Sequence, residues 1–122
     1  MFFAAGYRLI KPTLVEFEQT LLNNSIRQDA ENSFRIVDVI SGKNLSLRSD
    51  ITPQISRLLA TRLKSGKLPL KICYVGDVLR AKSNDLYADR QQTQLGLEII
   101  GSNDSEFNLE IVSVLLAALT EI

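Results

Sequence analysis

Two arginines, Arg80 and Arg90, stand at the inner ends of two segments that alternate apolar and polar residues, with a polar stretch between them. A guanidinium is a planar, permanently charged fork that matches carboxylate or phosphate oxygens in pairs, so two facing one way suit an anion or phosphate. On a plain surface they would instead pair with Asp77, Asp85 or Asp89 and contribute little; the residues alone leave both readings open. In the second segment, alternation puts Arg90, Gln92, Gln94, Gly96 and Glu98 on one face and Gln91, Thr93, Leu95, Leu97 and Ile99 on the other. A polar face opposite an apolar one ordinarily looks to solvent. Gly96 argues for more, because a mid-strand glycine costs stability and marks a bulge or the close approach of a ligand or backbone. Gly76 does the same in the first arm, where Tyr74, Gly76, Val78 and Arg80 share a face.

Composition removes other chemistries. The 122 residues contain no histidine, which rules out Ser-His-Asp triads, Cys-His dyads and the common zinc sites within them. The single cysteine, Cys73, forbids an intrachain disulfide and suits a reducing compartment, so a cytoplasmic protein without metal or cofactor is expected. Its apolar strand neighbours make Cys73 a packed thiol rather than a nucleophile. Fourteen basic residues balance fourteen acidic ones, so no bulk field draws the chain to nucleic acid or to a charged membrane. Met1 to Ala5 is apolar but too short for a signal peptide or a membrane span.

The elements that must position the polar face follow in order. MFFAAG reads as the last turn of a helix capped by Gly6, and Tyr7 to Lys11 as a short strand closed by Pro12. From Thr13, the spacing of Leu14, Phe17, Leu21 and Leu22 predicts a helix stopping at Asn23 to Ser25. FRIVDVISGKNLSLRSD predicts a hairpin with Leu45 and Leu47 facing the core and Arg48 facing away. Asp50 or Thr52 can cap the following helix, with Pro53 in its first turn. That helix buries Ile55, Leu58, Leu59 and Leu63, exposes Arg57 and Arg62, and ends at Gly66. After the long hairpin of Lys71 to Gly101, a final helix offers Leu109, Val112, Leu115, Leu116 and Leu119 as a broad apolar side, which must pack on the sheet or on a partner. The fold class expected is α+β: an antiparallel sheet flanked by helices.

Four stretches in this order, GYRLIKPTLVEF, LRSDITPQISRLLATRL, YVGDVLR and RQQTQLGLEIIG, resemble the catalytic domain of class II histidyl-tRNA synthetase. The wording LRSDITPQI and YVGDVLR is more similar still to its non-aminoacylating paralogue, the regulatory subunit of ATP phosphoribosyltransferase. The resemblance covers essentially the whole chain and implies that residues 1–122 are the N-terminal part of one class II synthetase-like domain, truncated at both ends relative to the family. Pro12 matches the proline of the first motif, at the family's homodimer interface. Asp50 and Thr52 match the acidic residue and threonine that touch the amino acid, with aspartate replacing the synthetase glutamate. Gln94 and Glu98 match the pair that lines the histidine pocket. Arg80 matches the arginine that grips the ATP α-phosphate, and Arg90 a second arginine of the same hairpin.

Two departures bear on function. Lys82 stands where the synthetases carry a glutamate, and Ala88 where they carry a further phosphate-binding arginine. Losing that cation weakens the charge stabilisation on which adenylyl chemistry depends. The resemblance therefore implies a histidine-shaped pocket with altered ATP machinery. It would belong to a non-catalytic subunit that joins the catalytic subunit of short-form ATP phosphoribosyltransferase, as a homodimer within a hetero-octamer, activates it, and contributes to histidine feedback at the first step of histidine biosynthesis. The alternatives are a histidyl-tRNA synthetase that activates histidine with ATP and charges transfer RNA, and an inactive relic whose fold signals survive without function.

Overall fold

A computed structural model describes residues 2–22, 31–62, 68–82 and 89–120. The helix stop at Asn23 to Ser25, Leu63 with the Gly66 cap, and the loop of residues 83–88, with Asp85 and Ala88, lie outside them. The elements run β1 (Arg8–Ile10), β2 (Val15–Phe17), α1 (Glu18–Leu22), β3 (Arg35–Val37), β4 (Asn44–Leu47), α2 (Thr52–Arg62), β5 (Leu70–Leu79), β6 (Gln91–Ile100) and α3 (Ser105–Thr120). They form two three-stranded sheets, ordered β1-β5-β6 and β2-β4-β3. The expected α+β class holds, with most pairings antiparallel; the exception is β1, which runs parallel to β5.

The opening segment closes as turns, with Ala5 N–H donating to the Phe2 carbonyl at 3.1 Å and Gly6 N–H to that of Phe3 at 3.0 Å. Gly6 takes the left-handed φ of 83° that such an ending requires. The helix predicted from Thr13 begins only at Glu18, because Val15, Glu16 and Phe17 pair with Leu47, Ser46 and Leu45 of β4. A strand edge waiting for a partner outweighs a short helical periodicity here. The hairpin that supplies this edge forms as expected. Its turn is tied by Asp38, whose carboxylate accepts from the Ile40 and Ser41 amides and the Ser41 hydroxyl; the Ser41 hydroxyl bond, the main cause, holds its pKa low.

In β4, however, the faces are reversed. Ser46 and Arg48 are buried while Leu45 and Leu47 are only half-buried. The reason is that Arg48, 5 % exposed, serves as an internal strut. Its Nε donates to the Asp77 carbonyl at 2.8 Å, and its Nη1 donates to the Pro12 carbonyl at 2.8 Å and more weakly to the Thr13 carbonyl and Gln54 Oε1. Its backbone bonds outward as well, N–H to Leu14 and carbonyl from Leu79. One side chain therefore ties the β1–β2 link, α2 and β5 together. Burial lowers its pKa, while the charges of Asp77 and Glu16 work the other way. Arg57, expected in solvent, instead clasps the Glu16 carboxylate and donates to the Thr20 carbonyl at 2.8 Å, pinning α2 to α1.

The core lies between α2 and the site face of the β5–β6 hairpin: Ile51, Ile55, Tyr74 and Val78, with Ile10 and Leu59 against them. The other face of the hairpin carries Cys73, buried as expected, and meets α3, where the Lys71 ammonium bonds both Glu110 oxygens at 2.7 Å and lies over the Phe107 and Tyr7 rings. The Tyr7 phenol, buried and near enough to feel Glu110, is pushed up to about 12, yet meets no partner at hydrogen-bonding geometry among the described residues. Of the apolar side of α3 expected to pack on the sheet or on a partner, only Leu115 is half-buried. Leu109, Val112, Leu116 and Leu119 are exposed, and Ala118 is buried instead. A helix apolar on nearly every side leaves the choice of inner face to its polar tether, and Glu110 makes it.

The Arg48 strut predicts that Arg48→Lys, which keeps the charge but replaces a fork by a point donor, lowers unfolding stability by about 2–4 kcal/mol through buried carbonyls left unpaired. A chemical-denaturation midpoint unchanged by Arg48→Lys would show that the strut does not hold the fold. Gly76→Ala should destabilise as well, because a Cβ at Gly76 would run into the Arg48 guanidinium.

Candidate functional site

The register of the long hairpin sets Ile72 opposite Glu98, Tyr74 opposite Gly96, Gly76 opposite Gln94 and Val78 opposite Gln92. Residues opposite one another point to the same side. The polar row of β6 therefore shares its face with Tyr74 and Gly76, and that face is partly covered by Ile51, Ile55 and Arg48, leaving Gln92, Gln94 and Glu98 half-buried. The glycines now have separate reasons. Gly76 admits the Arg48 guanidinium, and Gly96 admits the Tyr74 phenol, which a Cβ there would overlap.

Above this face the chain turns from β4 into α2 and brings Asp50 and Thr52 down onto it. Asp50 Oδ1 accepts from the Thr52 amide at 3.1 Å, the capping bond expected of it, and from Gln94 Nε2 at 2.6 Å. Gln94 Oε1 in turn accepts from the Ile51 amide at 2.9 Å. The Thr52 and Tyr74 hydroxyls are 3.0 Å apart, and the Tyr74 hydroxyl donates to Glu98 Oε1 at 3.5 Å, long for such a bond. Asp50, Thr52, Gln94 and Glu98 are thus brought into one linked cluster, with Tyr74 at its centre.

Burial pushes the Glu98 carboxyl above its usual range; the bond from Tyr74 opposes this and the Asp50 charge adds to it. Burial likewise raises the Tyr74 phenol, Thr52 working against the rise and both carboxylates with it. Two carboxylates, an amide and two hydroxyls offer more acceptor positions than the cluster's own donors fill. Such a site suits a ligand that brings positive charge and N–H donors.

The arginines are placed differently. Arg80 and Arg90 are adjacent across the hairpin, with the Arg80 amide donating to the Arg90 carbonyl at 2.8 Å. Arg80 Nη1 reaches Gln92 Oε1 at 3.1 Å on the site face. Arg90 Nη2 donates to the Ala81 carbonyl at 2.8 Å, and its guanidinium lies 5.3 Å from the centre of the Phe34 ring. The two guanidiniums therefore make separate contacts. Asp77 faces the other side of the hairpin, accepting from Thr93 and Gln91. Lys82 is held by Glu31, at 3.6 Å, and its amide donates to Asn32 Oδ1 at 2.8 Å. Among the described residues no cluster of three or more His, Cys, Asp or Glu could hold a metal ion.

Sequence reasoning had not singled out Tyr74 or Arg48 as organisers of the site. Each had a signal: a large side chain set against a mid-strand glycine. Reading it needed the hairpin register for Tyr74 and the contact between sheets for Arg48.

The sequence profile of the family described as histidyl-tRNA synthetase matches residues 1–122. A protein from Paramagnetospirillum magneticum named ATP phosphoribosyltransferase regulatory subunit is 41% identical over 122 residues, covering 100% of this chain and 32% of its own. One of the same name from Rhodospirillum centenum is 40% identical over 117 residues, covering 96% of this chain and 30% of its own. The chain thus spans about a third of the length of the curated relatives it matches. Among solved structures, an ATP phosphoribosyltransferase regulatory subunit/histidyl-tRNA synthetase from Bacillus halodurans superposes with a TM-score of 0.77 at 32% identity, over 98% of this chain and 30% of that one. The pyrrolysyl tRNA synthetase of Desulfitobacterium hafniense gives 0.79 at 16% identity, over 98% of this chain and 41% of that one, which shows the fold alone. With its whole length matched by that profile, the chain belongs to the histidyl-tRNA synthetase family, and the curated relatives it resembles are by name regulatory subunits of ATP phosphoribosyltransferase.

Proposed function

We propose that residues 1–122 are the N-terminal part of a class II synthetase-like domain in a non-catalytic regulatory subunit of short-form ATP phosphoribosyltransferase. The protein would bind the catalytic subunit in the cytoplasm as a homodimer within a hetero-octamer, activate it, and contribute to histidine feedback at the first step of histidine biosynthesis. The supporting observation is the acceptor-rich cluster of Asp50, Thr52, Gln94 and Glu98. In this reading its carboxylates meet the ammonium and ring N–H groups of histidine while the hydroxyls and amide fix orientation. Lys82 and Ala88, which stand where the synthetases carry a glutamate and a phosphate-binding arginine, favour this reading over nucleotide activation. Among the described residues no helix is long and apolar enough to cross a membrane.

The alternative, ATP-dependent activation of histidine and charging of transfer RNA, draws on Arg80, which remains on the site face beside Gln92. Formation of phosphoribosyl-ATP by a short-form catalytic subunit, with and without the complete gene product, separates the two. Activation reversed by histidine is expected. Its absence with a folded protein, together with histidine-dependent pyrophosphate exchange, would transfer the assignment to the synthetase.

Within the cluster, Glu98→Ala is expected to raise the histidine concentration for half-maximal response by roughly tenfold or more, the scale of a lost bond to a charged group. Gln94→Ala should do the same while also loosening the start of α2. An unchanged histidine response in both variants would remove the pocket assignment.

Glu98 also yields a stability prediction. Its folded-state pKa lies above the unfolded value, so the ionised carboxylate costs stability at neutral pH, and the cost fades as pH falls from the raised folded-state value into the usual carboxylate range, below which it is gone. Glu98→Gln should therefore raise the melting temperature at pH 7, have less effect at acidic pH, and still weaken the histidine response.

A further inference from the structure

Among the described residues, Tyr74 is the large side chain of the site face that touches both halves of the cluster. It is 3 % exposed, its ring is part of the core with Ile51, Ile55 and Val78, and only its hydroxyl reaches the polar groups. The seat for that ring exists because position 96 carries no side chain: a Cβ there would overlap both the ring carbon bearing the hydroxyl and the hydroxyl itself. Tyr74 and Gly96 are direct partners in the hairpin register, so each determines what the other position can hold.

We propose that Tyr74 and Gly96 act as one positioning device, in which the bare glycine seats the phenol and the phenol's hydroxyl, linking Thr52 to Glu98, orients both toward a cationic amino-acid ligand. This rests on the histidine-pocket reading above. The proton order follows from the chemistry of the three groups. Glu98 as carboxylate only accepts, so Tyr74 donates to it, and Tyr74 then accepts from the Thr52 hydroxyl. A buried ring fixes where the hydroxyl points, so Thr52, which arrives with α2, and Glu98, which belongs to β6, are held at one mutual distance. The titratable groups facing Glu98 are Tyr74 from β5 and Asp50 from the turn ahead of α2, while β1 contributes Ile10, packed on the same core. The Tyr74 hydroxyl is the group that favours an ionised Glu98, against both burial and Asp50.

The test is Tyr74→Phe in the complete gene product, which keeps the ring and removes the hydroxyl. Histidine binding is read by calorimetry across pH, and the Glu98 carboxyl by carbon-13 NMR. The expected result is a Kd for histidine raised about tenfold at neutral pH, with the Glu98 titration moved to higher pH. Gly96→Ala, which displaces the ring, should weaken binding at least as much, and Thr52→Val combined with Tyr74→Phe should cost less than the sum of the two. A purely structural Tyr74 would lower the melting temperature without moving the Glu98 titration. If the parent protein binds histidine and Tyr74→Phe leaves both Kd and the Glu98 titration unchanged, the device is overturned and the pocket reading stands. If the parent protein does not bind histidine, both fall.

Discussion

A single buried cation holds this structure's parts in register. Arg48 sits where the β1–β2 link, the start of α2 and the middle of β5 converge, and it is satisfied almost entirely by backbone carbonyls. A guanidinium can do this because its donors are spread in a rigid plane, so that Nε meets β5 while Nη1 meets the β1–β2 link and α2. The cost is desolvation of a permanent charge, offset by those bonds and by the fields of Asp77 and Glu16. Two of the site residues, Asp50 and Gln94, lie within one step of this arrangement. Arg48 is two residues ahead of Asp50, and its guanidinium occupies the space left by Gly76, which in turn faces Gln94 across the hairpin.

The site itself sets ligand recognition against stability. Asp50 and Glu98 are two carboxylates close enough to raise the cost of ionising Glu98, and burial raises it further. A fold selected for stability alone would fill this face with apolar side chains, as it does at Ile51, Val78 and Ile55. Retaining two acids beside an amide and two hydroxyls makes sense when a positively charged partner completes them. The apolar residues packed beside the cluster lower the local dielectric, which strengthens that attraction.

Much of this was legible in the sequence. The long hairpin, the polar row of β6, the unusual standing of Gly76 and Gly96, the Asp50 cap and the buried thiol of Cys73 follow from alternation and residue chemistry. What was hidden depended on contacts between distant segments. Leu14, Phe17 and Leu21 have helical spacing, but β4 recruits Val15 to Phe17 as a strand. An arginine at the end of an alternating strand reads as an outward charge until Pro12 and Asp77 offer it carbonyls. Arg57 reads as solvated until Glu16 arrives from β2. In α3, apolar residues on nearly every side blurred the contrast from which an inner face is read. The separate contacts of the Arg80 and Arg90 side chains were equally invisible, since they depend on Gln92, Phe34 and Ala81.

The amide of Gln94 has a direction that cannot be reversed. Its oxygen must face the Ile51 N–H, because only an acceptor fits there, and its nitrogen must then face Asp50. The side chain thereby works as a proofreader of strand pairing. Were β6 to slip by one residue against β5, position 94 would give way to Thr93 or Leu95: leucine has no polar atom, and the single hydroxyl of threonine sits on a side chain too short to stand in for the two separate amide atoms that meet Ile51 and Asp50. A misthreaded hairpin would leave the turn into α2 without its clasp and the Asp50 carboxylate without its donor, so the same bond that assembles the pocket also penalises assembling it wrongly.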